Sequence, residues 1–245
     1  MNPTQLRRVS HVPQQRLDLL GQLDRVGEAL VRLLGHAATD DASQVSSKKA
    51  GALTGNPPLE EDPLIADSTF TQFGEISWAD LIALADIEIA GWSINGTGPD
   101  STAAGGCNTG QAFSRNWGNP EDPFSACGNW FPIIHIGGSA NIQSGGVGQG
   151  ILLVDGDLDL RGGFVFHGVI IVQGNFETQG SGNRVLGGVM ASNANFDSQS
   201  LVGGSVVQNS TCAVTRAILN NSGLTRVRPL NERSFVDLSS VKTAN

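Results

Sequence analysis

The chain has 245 residues, 39% of them hydrophobic, with a formal net charge of −8 and a sequence pI near 4.9. This is enough apolar material for one packed domain with appendages, and the acidic balance argues against nucleic acid as a partner, which needs clustered Lys and Arg. The 32 glycines against no tyrosine and two methionines point to many short strands and corners, and no apolar run is long enough for a transmembrane segment.

In chain order, residues 1–38 contain an amphipathic helix from about Gln14. Leu17, Leu20, Leu23, Val26, Leu30, Val31 and Leu34 recur at three- and four-residue steps, with Pro13 in the first turn. The stretch through His36 is mildly basic. It reads as a helix folded against the body, with a membrane-surface or partner-binding helix as the functional alternative. Nothing at the start combines a basic residue cluster with an apolar run, so no export signal is expected in the chain as given. Residues 39–63 read as a linker, broken by Ser46, Ser47, Gly51, Gly55, Pro57 and Pro58. Within 64–130, Ser77 is expected to cap a short helix over Trp78, Leu81, Ile82, Leu84 and Ala85, with Asp80 in its first turn. A long loop from Ile89 to Trp130 follows, carrying Trp92, Trp117, Trp130, Cys107 and Cys127. Its tryptophans are expected to pack as a cap.

Residues 131–222 hold the strongest signal. Every sixth position from Gly138 to Ser210 is glycine or serine, with Leu186 the exception. Apolar residues flank these positions on both sides in fixed columns. The period predicts a mainly β fold, a three-sided single-stranded β-helix with about 18 residues per coil and about five coils. In that grid Ala140, Leu158, Phe176, Ala194 and Cys212 stack, as do Ile136, Val154, Val172 and Met190, and Cys212 is a buried thiol. The grid loosens near Gly182, Arg184 and Leu186, where an inward arginine would need a partner. Ile151–Val154 and Val169–Val172 are apolar at all four positions. Both faces of that wall must therefore avoid water, and something must cover the outside. The tail, 223–245, is polar and ends in a short strand from Ser234 to Leu238 that could close the other end.

Candidate chemistry is sparse. Cys107 and Cys127 are left to each other, and a disulfide between them would indicate an oxidising compartment. Asp155, Asp157 and Asp159 alternate beside a corner, a weak calcium candidate, because calcium coils repeat their aspartates on every rung and here Asn175 and Glu177 follow. The same carboxylates on a solenoid raise glycoside hydrolysis or lyase chemistry, but an exposed strand offers no environment to keep one of them protonated. His135 and His167 are the histidines of the coil. His167, at a corner flank, is the better candidate base for a hexapeptide-repeat acyltransferase, the main catalytic rival; His135 reads as a wall residue. No metal or cofactor motif is read.

The segment NWFPIIHIGGSANIQSGGVGQGILLVDGDLDLRGG, and above all GQGILLVDGDL from Gly148 to Leu158 with GGVMA from Gly187 to Ala191, resembles the β-helical C-terminal part of PilX-type pilus assembly proteins of bacteria. Upstream, DPLIADSTFTQFGEISWADLIALAD, CNTG, NWGNP and SAC are also similar to that family, so the likeness spans roughly Asn56 to Val236. It implies a non-catalytic, structural protein of the cell envelope or extracellular space, linked to type IV pilus or related secretion assembly. Its partners would be other envelope or pilus proteins, or copies of itself through the coil ends. Family members begin with a prepilin-like apolar helix, whereas Arg16, Asp18, Asp24, Arg25, Glu28 and Arg32 interrupt the first helix here. A bactofilin-like polymer is the nearest non-catalytic alternative.

Overall fold

Small corner residues and alternating apolar strands wind into a parallel β-solenoid of about three turns, with few helices. The computed structural model describes residues 71–73, 76–180, 182–196, 205–221 and 223–224. It also describes the backbone of three short strands, β1 (Ala38–Thr39), β2 (Val45–Ser47) and β3 (Glu60–Glu61). The expected helix from Gln14 and the expected strand from Ser234 lie outside the described residues.

The solenoid is built from β6 (Ile87–Asn95), β7 (Ile133–Gln143), β8 (Val147–Val154), β9 (Leu158–Arg161), β10 (Val165–Gln179), β11 (Arg184–Phe196) and β12 (Val206–Asn209). Ahead of it, β4 (Gln72–Phe73) and β5 (Ile76–Ser77) form a small antiparallel pair. Successive rungs lie in register as the sixfold period requires: Ala140 pairs with Leu158, Leu158 with Phe176, and Phe176 with Ala194. Side chains alternate in and out. Ile134, Ile136, Leu152, Val154, Ile170 and Val172 fill the interior, while Ile133, Ile151, Leu153, Val169 and Ile171 belong to a second apolar cluster outside the same wall. Each fully buried large side chain contributes on the order of 1.5–3 kcal/mol.

The eighteen-residue step does not hold throughout. Val147 pairs with Val165, but Val165 pairs with Arg184, a step of 19. The extra residue sits in the corner that precedes Arg184. Buried Asn183 stabilises that corner: its Oδ1 accepts from the backbone N–H of Gly163 and Phe164 (3.1 Å each), and its amide donates to the Leu160 and Gln179 carbonyls. Because the side-chain period of a strand is two, a one-residue slip exchanges the two faces. Arg184 therefore lies exposed and Val185 is buried, so the arginine needs no inward partner. The slip also moves Met190 out of the inner column: Val172 pairs with Ala191, and Met190 joins the outer cluster beside Ile171. It explains the exception at Leu186, since the residue that stacks on Gly168 is Gly187. A register shift between Val172 and Asn175 then restores the original step.

The coil count is lower than the period implies because the chain abandons the grid after β12. Ser210 accepts from the Ala213 N–H and caps a helix, α2 (Thr211–Leu219). Cys212 is consequently exposed on that helix, not stacked on Ala194. Val45 of β2 takes the place beside Ala194, so a piece of the expected linker is a strand of the last coil. Helix α2 supplies the missing outer cover: Val214, Ala217 and Ile218 pack on Ile151, Leu153, Val169, Ile171 and Met190. The helix expected after Ser77 is present as α1 (Trp78–Ala83), with a reciprocal capping box between Ser77 and Asp80. Its Leu81 joins the same outer cluster.

Candidate functional site

Two regions of the outer surface carry the sequence-selected residues: the disulfide loop with its neighbouring wall, and a histidine–carboxylate cluster near α1.

The long loop is part of the solenoid, not an appendage. Its Thr97 and Trp117 carbonyls accept from the Val147 and Gln149 N–H groups (3.0 and 2.8 Å), completing the first rung where no regular strand exists. Trp117 is fully buried in the interior, edge-on to Phe164 at 6.0 Å between centroids, and it occupies space left by Gly148. Cys107 and Cys127 form a disulfide, with Cα atoms 5.0 Å apart. Buried Asn116 sits against both sulfurs, and its amide also donates to the Asp100 and Asn108 carbonyls. Buried Gln149 reaches from β8 to the carbonyls of Cys127, Gly128 and Trp130 at 3.3, 3.0 and 2.9 Å. Trp130 is half-buried and donates to Asn116 O. Trp92 does not cap anything: it is 75% exposed, on β6, with φ of 118° at a register shift. Sequence reasoning missed Asn116, Gln149 and Asn183, because a buried amide carries no period that would set it apart from a surface one.

His135 projects from the outer face of β7. Its Nδ1 is 2.7 Å from Glu88 Oε2 on the rung before, and its Nε2 is 3.2 Å from Asp155 Oδ2 on the rung after. The second contact is within ion-pair distance but is a poorly aligned hydrogen bond. Trp78, first residue of α1, donates its indole N–H to the other oxygen of Asp155 at 3.1 Å. Burial opposes protonation of His135, and the hydrogen bonds and charges of Glu88 and Asp155 outweigh it, holding the pKa above its ordinary value. The carboxylates bind opposite edges of the ring. They cannot converge on one metal ion, and no cluster of His, Cys, Asp or Glu suited to a metal occurs among the described residues.

The three aspartates disperse in the same way. Asp155 serves His135 and Trp78. Asp157 accepts from the backbone and side-chain amides of Asn175 at 2.7 and 3.0 Å, and Asp159 pairs with Arg161. Each carboxylate answers a different protein partner, so the calcium candidate lacks convergent oxygens.

His167 lies on the outer face just before the Gly168 corner, in one file with Gln149 above and Leu186 below. Half-burial, followed by the charges of Arg184 and Arg216, holds its pKa below the ordinary value, with Glu121 pulling weakly the other way. The imidazole is therefore neutral at pH 7. In the register of β10 on β11, Arg184 is a diagonal neighbour of His167 on the outer face. Arg216 lies on α2, with its guanidinium 5.1 Å from the centroid of the Phe131 ring. The outward placement of Arg184 follows from the slip before β11, and that of Arg216 from the helix that replaces a further coil at residues 211–219.

Comparison with protein-family models, with curated proteins and with solved structures returns no match. Among the described residues, no helix is long and apolar enough to cross a membrane.

Proposed function

We propose that the chain is a non-catalytic structural and interaction module of the bacterial cell envelope, working in type IV pilus or related secretion assembly as its PilX-like segments imply. Its coil is read as three-sided, presenting flat walls as docking surfaces. The observation that carries the proposal is the Cys107–Cys127 bridge, which closes the loop that carries buried Trp117. Such a bridge is a feature of oxidising compartments, and a loop held by it together with Gln149 is a fixed surface suited to a partner.

The bactofilin-like alternative needs free edges at the coil ends. Against it stands the blocking of β6: the Gln111 side chain accepts from Glu88 N–H at 2.6 Å and donates to Glu88 O at 2.8 Å, and Arg115 covers the Asn95 carbonyl. At the other end β12 and β2 both pair with β11 as the last strands of the described sheet, so only the β6 edge counts against a polymer. The acyltransferase alternative requires a trimer with His167 at its interface.

The test is maleimide labelling of the chain isolated from its native cells without reductant, with proximity crosslinking to envelope proteins in the same preparation. The expected result is a labelled Cys212, protected Cys107 and Cys127, and crosslinks to pilus or secretion components. Reduced Cys107 and Cys127 in cytoplasmic filaments would replace the proposal with the polymer reading. Acyl transfer abolished by His167→Ala would replace it with the enzyme.

A further inference from the structure

His135 is held between two carboxylates that its neutral form cannot both satisfy. Its side chain is 9% exposed, with Nδ1 at 2.7 Å from Glu88 Oε2 and Nε2 at 3.2 Å from Asp155 Oδ2. A neutral imidazole carries one N–H and one lone pair. The contact with Glu88 is the shorter and better aligned, and it retains the proton. Nε2, buried and without an aligned hydrogen-bond partner, then turns its lone pair toward a carboxylate oxygen. Two acceptors facing one another out of water are unfavourable, whereas the same geometry is attractive once both ring nitrogens carry protons.

Asp155 also anchors the segment that covers this wall. Its Oδ1 accepts from the indole N–H of Trp78, the first residue of α1, at 3.1 Å. Beyond that contact, Leu81 of α1 and Phe73 of β4 belong to the outer apolar cluster with Ile133, Ile151 and Leu153. One carboxylate therefore joins the imidazole to the start of α1. The other charged groups on the neighbouring elements have partners of their own. Asp80 of α1 closes the capping box with Ser77, and Asp86, ahead of β6, accepts from the Ile133 N–H and the Asn221 amide. Arg115 of the disulfide loop donates to Asn95 O, and Arg216 of α2 lies over Phe131. Burial opposes protonation of His135, and the charges that favour it are those of Glu88 and Asp155.

We propose that His135 is a proton-operated latch for the cover of the solenoid wall: protonated, it holds Asp155 in place to receive Trp78, and on losing its proton to solvent it repels the Asp155 carboxylate and loosens the first turn of α1. The latch closes toward acid and opens toward alkali. The apolar contacts of Phe73 and Leu81 keep the segment attached, so opening is a local change at Trp78. The inference stands independently of the envelope reading.

The experiment is ¹⁹F NMR of the full, disulfide-intact chain carrying 5-fluorotryptophan, followed from pH 5.5 to pH 9.5, with the Trp78 signal assigned from Trp78→Phe. Expected is a single titration of the Trp78 signal with its midpoint above the ordinary histidine value of about 6.5, while Trp117, buried in the interior, does not move. His135→Gln abolishes the titration. Asp155→Asn uncouples Trp78 from it. Glu88→Gln removes one of the two charges that favour the proton, at an exposed position, and lowers the midpoint by about one pH unit. Circular dichroism checks that each variant is folded; should His135→Gln not fold, the midpoint in Glu88→Gln decides. A Trp78 signal that does not titrate, or one that titrates with an unchanged midpoint in folded Glu88→Gln, overturns the proposal.

Discussion

Replacing Gly168 by alanine isolates the geometric requirement of the solenoid corner. Gly150, Gly168 and Gly187 stack at the same bend on three successive rungs, with φ of 109°, 143° and 141°. A methyl group on Gly168 would overlap the carbonyl oxygen of Gly150, and it would lie 3.0 Å from the carbonyl carbon and 3.1 Å from the nitrogen of that residue. The obstacle is backbone, fixed by the ladder, and no side-chain rotation relieves it. Two costs add. The disfavoured φ contributes about 1–3 kcal/mol, and displacing one rung from the next breaks ladder hydrogen bonds worth about 1 kcal/mol each. The total reaches about 4 kcal/mol, a large share of the roughly 5–15 kcal/mol that holds a domain folded. Two controls separate the terms. At Gly180 φ is 79° but the nearest atom is Gly162 N at 3.6 Å, so Gly180→Ala should cost only about 1 kcal/mol of strain. At Gly137 a methyl meets nothing within 4 Å, and Gly137→Ala should stay within about 0.5 kcal/mol of the parent. Urea unfolding followed by far-ultraviolet circular dichroism measures all three. If Gly168→Ala is no less stable than Gly180→Ala, the close rung-to-rung approach at that corner is not a determinant of the fold.

His135 should make stability depend on pH. Its folded pKa lies above the unfolded value of about 6.5, so its contribution is complete below that value and is lost as pH rises through the folded pKa. The difference in melting temperature between the parent and His135→Gln should therefore shrink from pH 6 to pH 9; a constant difference refutes the assignment. Replacing Cys107 and Cys127 by serine removes a closed loop with a sequence separation of 20. The expected loss is about 3 kcal/mol, read from denaturant midpoints, with Trp117 fluorescence shifting to the red at lower urea than in the parent. Val214→Asp places a charge in the apolar contact between α2 and the outer wall, where Val214 is 1% exposed. A loss of about 3 kcal/mol or more is expected, together with binding of a hydrophobic dye to the uncovered wall; an unchanged melting temperature would mean that α2 does not cover it.

Local chemistry made part of this molecule legible without coordinates. A six-residue period of glycine and serine between apolar columns has one compact solution, because turns must recur where strands bend and alternate side chains must point inward. Ser77 followed by Asp80 announces a helix start through groups within three residues of one another. The continuous apolar run Ile151–Val154 required an outer cover, since both faces of that strand are oily. The identity of the cover was not readable. The positions of Cys212 and Ile218 fit the coil's grid and a helical face equally well, and burial of α2 against wall residues 24 to 67 positions earlier decides between them.

The same division applies to the surface chemistry. Single-residue slips such as the one before Arg184 leave the period almost intact in sequence, yet they turn every following side chain to the opposite face until a bulge corrects them. Whether an arginine points inward or outward therefore depends on register, which backbone pairing sets and composition does not. His167 and Arg184 illustrate the consequence: 17 positions apart in the chain, they become diagonal neighbours on the outer face only through the register of β10 on β11. Periodicity, turn residues and caps are short-range properties and belong to the sequence. Register, closure of the coil ends and convergence of distant charges depend on contacts between segments far apart in the chain, and the tertiary structure alone decides them.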